Sequence, residues 1–339
     1  MPFINEILKY DSLSIVGLEK NTGKTECLNY ILKRLPLQDY KVAVTSIGID
    51  GETTDKVTST LKPDIYFKEG YYFATSEVHY RDRELVSELL DISLECTSLG
   101  RVVLAKVICG GKVLLSGPSS GASLKRWVSF VRDFGVDLTI IDGALSRLSS
   151  ASPAISKAMV LSTGAAYSVN IATLVQRTKF VTELIDIPLA QSQYLENFMG
   201  VESGVWGVNG SGEVVDFNIT SSLLLNNLSK NITLGNRVVY VSGALTDRFL
   251  KLIYDSKEVK EITLIVRDFT KIFVQELTYR NFIKKGGTIR VLQKSKLLAV
   301  CVNPTAPNGY VLDSDTLCRR LEEVIKLPVY DIVKNKYDF

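Results

Sequence analysis

Histidine is almost absent from this sequence, and cysteine is sparse. The only histidine, His79, lies in EVHYRDRE with no cysteine or second histidine beside it. That isolation nearly excludes a histidine zinc site and a Ser-His-Asp triad. The 5 cysteines have no spacing typical of a zinc site or a redox pair, so we expect reduced, buried thiols.

Neither sign of charge dominates, and long apolar runs are missing. The 40 basic and 37 acidic residues leave a formal net charge of +3, which gives no electrostatic case for nucleic acid or an anionic membrane as a partner. No apolar run approaches the roughly 18 residues of a membrane span. The opening residues MPFINEILKYDS lack the basic and apolar regions of a signal peptide. We expect a cytoplasmic protein.

Short apolar strands alternate with helices along most of the chain, which predicts an α/β fold with a mostly parallel sheet covered on both faces. RDRELVSELLDI, residues 81–92, predicts an amphipathic helix within this pattern. With 339 residues, the chain is long enough for two domains. Changes in composition and in the strand–helix alternation along the chain predict three regions. These are a nucleotide-binding domain over 1–186, a glycine- and asparagine-rich connector or hairpins over 187–236, and a second, smaller α/β domain over 237–339.

GLEKNTGKT fits the phosphate-binding pattern G-x-x-x-x-G-K-[ST]. Glycines let the backbone turn its N–H groups toward the phosphates, a lysine adds positive charge and a threonine hydroxyl reaches Mg²⁺. An apolar strand precedes the pattern and a helix follows it, as such a loop requires. We predict that ATP and Mg²⁺ bind here, with contacts from Gly17, Lys20, Asn21, Thr22, Gly23, Lys24, Thr25 and Glu26.

Two acids follow apolar strands and are candidates for the metal. Asp142 ends the run LTIID, where ligands collect in parallel sheets, and we predict that it holds Mg²⁺ together with Thr25. Asp50 follows the second strand and is predicted to place metal or the attacking water, so that Lys24 and Asp50 are the catalytic candidates. The competing interpretation of Asp50 is a solvated loop residue.

Three further patterns leave alternatives open. The glycine-bearing turns over 116–123 and 162–168 are either connectors at the catalytic edge of the sheet or contacts for a base, substrate or partner. The C-terminal segment contains N-K-x-D at Asn335, Lys336 and Asp338, which is the guanine-reading pattern of GTPases. Its place at the chain end favours a solvated terminus instead.

The order of the P-loop, SIGIDGE, LTIIDGALSR and VLSTGA resembles the P-loop class that contains dethiobiotin synthetase and the molybdopterin-guanine adaptor proteins. The resemblance covers the N-terminal half and implies a three-layer P-loop NTPase domain. Leu18 stands where deviant Walker members of the class carry a second lysine, so lysine activation through a dimer is not implied. A homodimer stays open.

SIVGLEKNTGKTECLNYIL, DLTIIDGALSR and CVNPTAPNGYVLDSDTLCRRLEEVIKLPVYDIV also resemble the small reactivase subunits of lysine 5,6-aminomutase. This resemblance implies ATP-dependent reactivation of a cobalamin-dependent aminomutase, together with a MutS-like ATPase subunit. It also implies slow Mg²⁺-dependent hydrolysis that needs a partner. The alternatives are a small-molecule ligase or kinase of the dethiobiotin synthetase kind, and a GTPase metallochaperone.

Overall fold

The computed structural model describes residues 3–47, 64–144, 152–223, 236–255 and 259–334. Its helices are α1 (Phe3–Ile7), α2 (Lys24–Arg34), α3 (Glu77–Arg81), α4 (Gly121–Val131), α5 (Ile171–Ile185), α6 (Ser192–Phe198), α7 (Asp247–Tyr254), α8 (Glu276–Lys284) and α9 (Ser314–Ile325). Its strands are β1 (Ser12–Gly17), β2 (Val42–Ser46), β3 (Tyr66–Phe67), β4 (Tyr72–Ser76), β5 (Glu84–Thr97), β6 (Gly100–Lys112), β7 (Leu138–Ala144), β8 (Ala158–Gly164), β9 (Val205–Asn209), β10 (Val214–Ile219), β11 (Asn236–Val241), β12 (Leu245–Thr246), β13 (Thr263–Val266), β14 (Ile272–Phe273), β15 (Thr288–Val291), β16 (Lys296–Asn303) and β17 (Val329–Asp331).

The chain is mixed α/β, with a large and mostly parallel sheet. Its 10 strands run in the order β17-β16-β8-β1-β7-β2-β4-β6-β3, and β5 pairs with β6. Every neighbouring pair from β17 to β4 is parallel. The strands β3, β4 and β5 are all antiparallel to β6. The carboxyl ends of the parallel strands therefore meet at one edge, where ligands bind in sheets of this kind.

The parallel strands at the centre of the sheet are buried because both of their faces are covered. Every residue of β1 is buried, its two serines included, as in parallel sheets with helices on both faces. On β2, Val42 and Val44 pack in a core with Leu28 of α2, whereas Ala43 packs in another core with Trp127 of α4. Since side chains alternate along a strand, these two cores lie on opposite faces.

The chain divides into two compact units, and the boundary differs from the predicted one. Residues Met1–Lys179 and Ser295–Phe339 form one unit, and Phe180–Lys294 form the other. A second domain over 237–339 is therefore wrong for residues 295–334. The reason is that β16 pairs in parallel with β8 and extends the first sheet, although some 130 residues separate these strands along the chain. The smaller unit is an insertion.

The smaller unit has its own 5-stranded sheet in the order β10-β9-β11-β13-β15. The hairpin β9–β10 is antiparallel, so the described part of the predicted 187–236 connector contributes strands to this sheet. The strands β11, β13 and β15 are parallel. Val239 and Val241 of β11 face one core, and Val238 and Tyr240 face another, which again covers both faces.

The helix predicted over 81–92 is wrong. Helix α3 ends at Arg81, and Glu84–Thr97 form the long strand β5. Leucine and glutamate are good helix formers, but β5 pairs with β6 from Glu84 opposite Lys112 to Thr97 opposite Gly100. This pairing satisfies the backbone groups on one side of the segment, so the neighbouring strand overrides the local preference.

Candidate functional site

The loop after β1 has glycine at the two positions where the phosphate-binding pattern requires it, and both positions are sterically crowded. A Cβ atom on Gly17 would lie 2.8 Å from Thr22 Oγ1. Gly23 has a φ of +89°, and a Cβ there would lie 2.6 Å from Ile332 Cδ1. Asn21 also has a left-handed φ of 60°, which asparagine tolerates better than most residues. The glycines of the pattern therefore shape a tight turn that enters α2.

Side chains from neighbouring strands hold the loop in place. The Leu18 N–H donates to Ser162 O at 2.9 Å, and Ser162 Oγ donates back to Thr22 O at 2.5 Å. Asn303 Nδ2 donates to Asn21 O at 3.2 Å. Ser162 lies near the end of β8, and Asn303 is the last residue of β16. Two strands on the same side of β1 therefore anchor this turn. The first residue of the 162–168 segment therefore lies against the loop.

The structure brings two of the predicted site residues into contact. Lys24 Nζ lies 3.0 Å from Asp142 Oδ1, and their side chains are only 17% and 5% exposed. The strand register explains the contact, since Asp142 lies beside Ile15 of β1 and Ser46 of β2. An ion pair with so little exposure to water is stable only while both charges are present. The site therefore holds one positive and one negative charge at the carboxyl edge.

The other predicted contacts lie around this pair. Thr25 and Glu26 are in the first turn of α2, and Lys20 is exposed in the loop. An 11-residue helix places its unpaired N–H groups and the positive end of its dipole at this turn. Such a terminus, with Lys24 beside it, can bind a phosphate-like anion, and the Asp142 carboxylate and the Thr25 hydroxyl offer oxygen ligands of the kind that Mg²⁺ prefers. Asp50 lies outside the described residues, as do Asn335, Lys336 and Asp338.

A buried polar cluster lies at the carboxyl end of β4. His79 Nδ1 is 2.9 Å from Ser116 Oγ, which donates to Ser76 Oγ at 2.8 Å and lies 3.2 Å from Thr75 Oγ1. Burial lowers the pKa of His79, against a smaller opposite effect of the Asp82 charge. Sequence spacing gave no signal for this cluster, because its parts come from α3, β4 and the turn over 116–123. The cluster holds that turn against the sheet.

The next residue of the same turn, Gly117, packs against the end of β2. A Cβ atom on Gly117 would lie 2.0 Å from Ser46 O, and its N–H donates to Ser46 Oγ at 3.4 Å. Ser46 is also beside Asp142 in the sheet. The turn over 116–123 is therefore a close neighbour of the strand that flanks the Lys24–Asp142 pair, and only glycine fits at this contact.

Two thiols also meet below the loop. Cys27 Sγ of α2 lies 3.4 Å from Cys301 Sγ of β16, across 274 residues of sequence, and both cysteines are buried. The hydrogen bond with Cys27 and burial raise the pKa of Cys301, so the Cys301 thiol is a protonated packing group at neutral pH. The expectation of buried thiols is wrong for Cys96 and Cys109, which are exposed.

Within the described residues, no cluster of histidine, cysteine, aspartate and glutamate side chains has the geometry of a metal site. No helix in that part of the chain is long and apolar enough to cross a bilayer. No protein-family model, no curated protein and no solved structure matches the chain. Any proposal about function therefore rests on the residues and sequence motifs of this chain.

Proposed function

We propose that this protein is a Mg²⁺-dependent ATPase of the P-loop kind, built on a three-layer α/β domain. The observation that supports this most directly is the Lys24–Asp142 pair at 3.0 Å, at the end of a glycine turn between a buried strand and a helix. A lysine for phosphate oxygens and an acid for a metal ion are the two charges that P-loop chemistry needs side by side.

The loop amides and Lys24 bind the β- and γ-phosphates of ATP, and Thr25 and Asp142 hold Mg²⁺ or its water ligands. Mg²⁺ supplies charge neutralisation between the two phosphates. The ion pair with Asp142 holds the ammonium group of Lys24 at the loop. Asp50 places the metal or the attacking water. The remaining contacts come from the loop, through Gly17, Lys20, Asn21, Thr22, Gly23 and Glu26.

ATP turnover serves the remodelling of a partner protein. The resemblance to the small reactivase subunits implies a MutS-like ATPase subunit as partner and an inactivated cobalamin-dependent lysine aminomutase as client. Hydrolysis by the isolated chain is slow, because the partner supplies a cationic finger, which contributes about 10³–10⁵ in rate in this chemistry.

Calorimetry of ATP binding tests the site itself. Lys24→Ala removes a charge-assisted contact worth roughly 1.5–3 kcal/mol, so affinity should fall at least about tenfold. Lys9→Ala is the matched control, because Lys9 lies on the surface and pairs with Glu6. Asp142→Asn should weaken binding with Mg²⁺ much more than without it. Unchanged affinity in folded Lys24→Ala would disprove the phosphate site.

Measurements of phosphate release test whether ATP hydrolysis by this chain serves a partner protein. The chain is assayed alone, with the MutS-like subunit, and with both that subunit and inactivated mutase, and recovery of mutase activity is followed after adding ATP and fresh adenosylcobalamin. Stimulation by the proteins supports the reactivase role. Fast turnover by the chain alone, or stimulation by a carboxylic or amino acid instead, would favour a small-molecule enzyme. A strong preference for GTP would favour a metallochaperone.

A further inference from the structure

The strand β5 lies at an edge of the large sheet and is unusually long. It has 14 residues, whereas strands in globular proteins usually have about 5–6. Among the described residues its hydrogen-bonded neighbour is β6 alone, so its other side presents N–H and C=O groups in an extended row. Such an edge is a template for another extended segment.

Large apolar side chains are exposed along this edge. Leu94 is 94% exposed, Val86 58% and Leu89 47%, and no described side chain of β5 is buried. Natural proteins protect long edge strands with charges, most often lysine, with proline or with short length, and β5 has no lysine and no proline. Because β5 combines length with exposed leucine and valine, its edge is suited to a binding partner.

A pocket of about 470 Å³ opens beside the same strand. Its walls include Ile92 and Leu94 of β5, Leu104 of β6, and Arg126, Trp127 and Phe130 of α4. Trp127 is 7% exposed, and its Nε1–H has no hydrogen-bond partner among the described residues. A buried donor of this kind needs an acceptor. The pocket therefore fits a large apolar side chain that brings an oxygen atom, from itself or from its backbone, to Trp127.

The acidic side chains of β5 favour a partner segment with basic side chains. The described side chains of β5 include the acids Glu84, Glu88 and Asp91 and no basic residue. The compensating bases lie on the inner strand, where Lys112 Nζ is 3.2 Å from Glu84 Oε2 and Lys106 lies opposite Glu88. A second copy paired on this edge would place acids against acids, which is destabilising. A basic segment would instead place its lysines or arginines beside free-edge acids.

We propose that β5 binds an extended segment of a partner protein in which basic side chains alternate with apolar ones. The segment adds a strand to the sheet at the β5 edge, and one of its apolar side chains enters the pocket beside Trp127. The backbone row of β5 provides the pairing, the pocket provides the anchor, and the three acids Glu84, Glu88 and Asp91 provide the charge selection. This interaction does not depend on the nucleotide site.

Fluorescence anisotropy with a synthetic peptide tests the proposal on the full-length protein. The probe alternates lysine with valine, has one phenylalanine in place of a valine, and carries N-methyl groups on alternate amides to prevent self-pairing. The control peptide has glutamate in place of every lysine. The lysine peptide should bind at least about tenfold more tightly than the glutamate peptide, with an affinity that falls as salt rises.

Leu94→Gln tests the surface, and Leu277→Gln is its matched control, since Leu277 is 71% exposed on α8. Leu94→Gln should weaken peptide binding about tenfold while Leu277→Gln leaves it unchanged. Bound peptide should slow hydrogen exchange at β5 amides. Absent binding, equal affinity for both peptides, or a homodimer of the free chain that Leu94→Gln dissociates would each overturn the proposal.

Discussion

The carboxyl edge of the parallel sheet buries charge, whereas the β5–β6 hairpin leaves apolar side chains in water. Asp142 is 5% exposed and paired with Lys24, while Leu94 on β5 is 94% exposed. Both regions belong to the same sheet, and both reverse the usual distribution of charged and apolar residues.

The two reversals differ in how they are stabilised. At the carboxyl edge, the opposite charge is inside the chain, and glycines at Gly117 and Gly164 bring backbones closer than any side chain would allow. On β5, the described residues provide no covering group for Leu94. The carboxyl edge should therefore be sensitive to small changes in the isolated protein, and β5 should be sensitive only when a partner is present.

The largest effect is expected where the carboxyl edge is most crowded. Gly164→Ala would place a Cβ atom 2.0 Å from Asn303 O, whereas a Cβ at Gly210 meets nothing within 4 Å. Chemical denaturation should show a loss of about 3 kcal/mol for Gly164→Ala and less than about 0.5 kcal/mol for Gly210→Ala. Equal losses would mean that the edge relaxes and is not tightly packed.

A double-mutant cycle on Lys24 and Asp142 should give the next largest effect. Lys24→Met or Asp142→Asn alone leaves one poorly solvated charge, which costs about 1–3 kcal/mol of the free energy of unfolding. The double variant should lose less than the sum of the two. The exposed Lys9–Glu6 pair, with side chains 64% and 51% exposed, is the control and should couple by less than about 0.5 kcal/mol. Similar coupling in both pairs would remove the contrast between the edge and the surface.

A smaller effect is expected from pH at His79. Burial lowers the pKa of His79 in the folded chain, so the unfolded chain takes up the proton first as the pH falls below about 6.5. The contribution of neutral His79 to the free energy of unfolding is fully present above that pH. It is lost below that pH, by at most about 1.4 kcal/mol per pH unit for one proton. The free energy of unfolding, measured from neutral to mildly acidic pH, should fall less steeply in His79→Gln. Parallel curves would show that the pKa of His79 is the same in the folded and unfolded chain.

The smallest effect is expected on the hairpin. Leu94→Gln should change the free energy of unfolding by less than about 0.5 kcal/mol, because a side chain so exposed buries almost no area on folding. Denaturation of the monomeric protein measures it, with Leu277→Gln as the comparison. A loss above about 1 kcal/mol would mean that Leu94 packs inside the chain, and the contrast between the two regions would fail.

Prediction from sequence succeeded where the signal is local and failed where it depends on a neighbour. The buried β1 strand, the glycine turn and α2 follow one another within a few residues, and their pattern predicted each of them. The segment after α3 has the composition of a helix but forms β5, because β6 supplies a paired edge that no local pattern records. Ser162 and Asn303, which hold the loop, were absent from the predicted contacts, since they come from β8 and β16.

By itself the sequence determined the α/β class and the position of the strand–turn–helix formed by β1, the glycine turn and α2, since hydrophobic periodicity and turn chemistry act over a few residues. Tertiary structure alone decided that β16 extends the first sheet, that Cys27 meets Cys301, and that Asp142 lies beside Lys24. These contacts join residues more than one hundred positions apart, and their partners are chosen by strand register and core packing. That choice is a property of the assembled sheet, so no single segment encodes it.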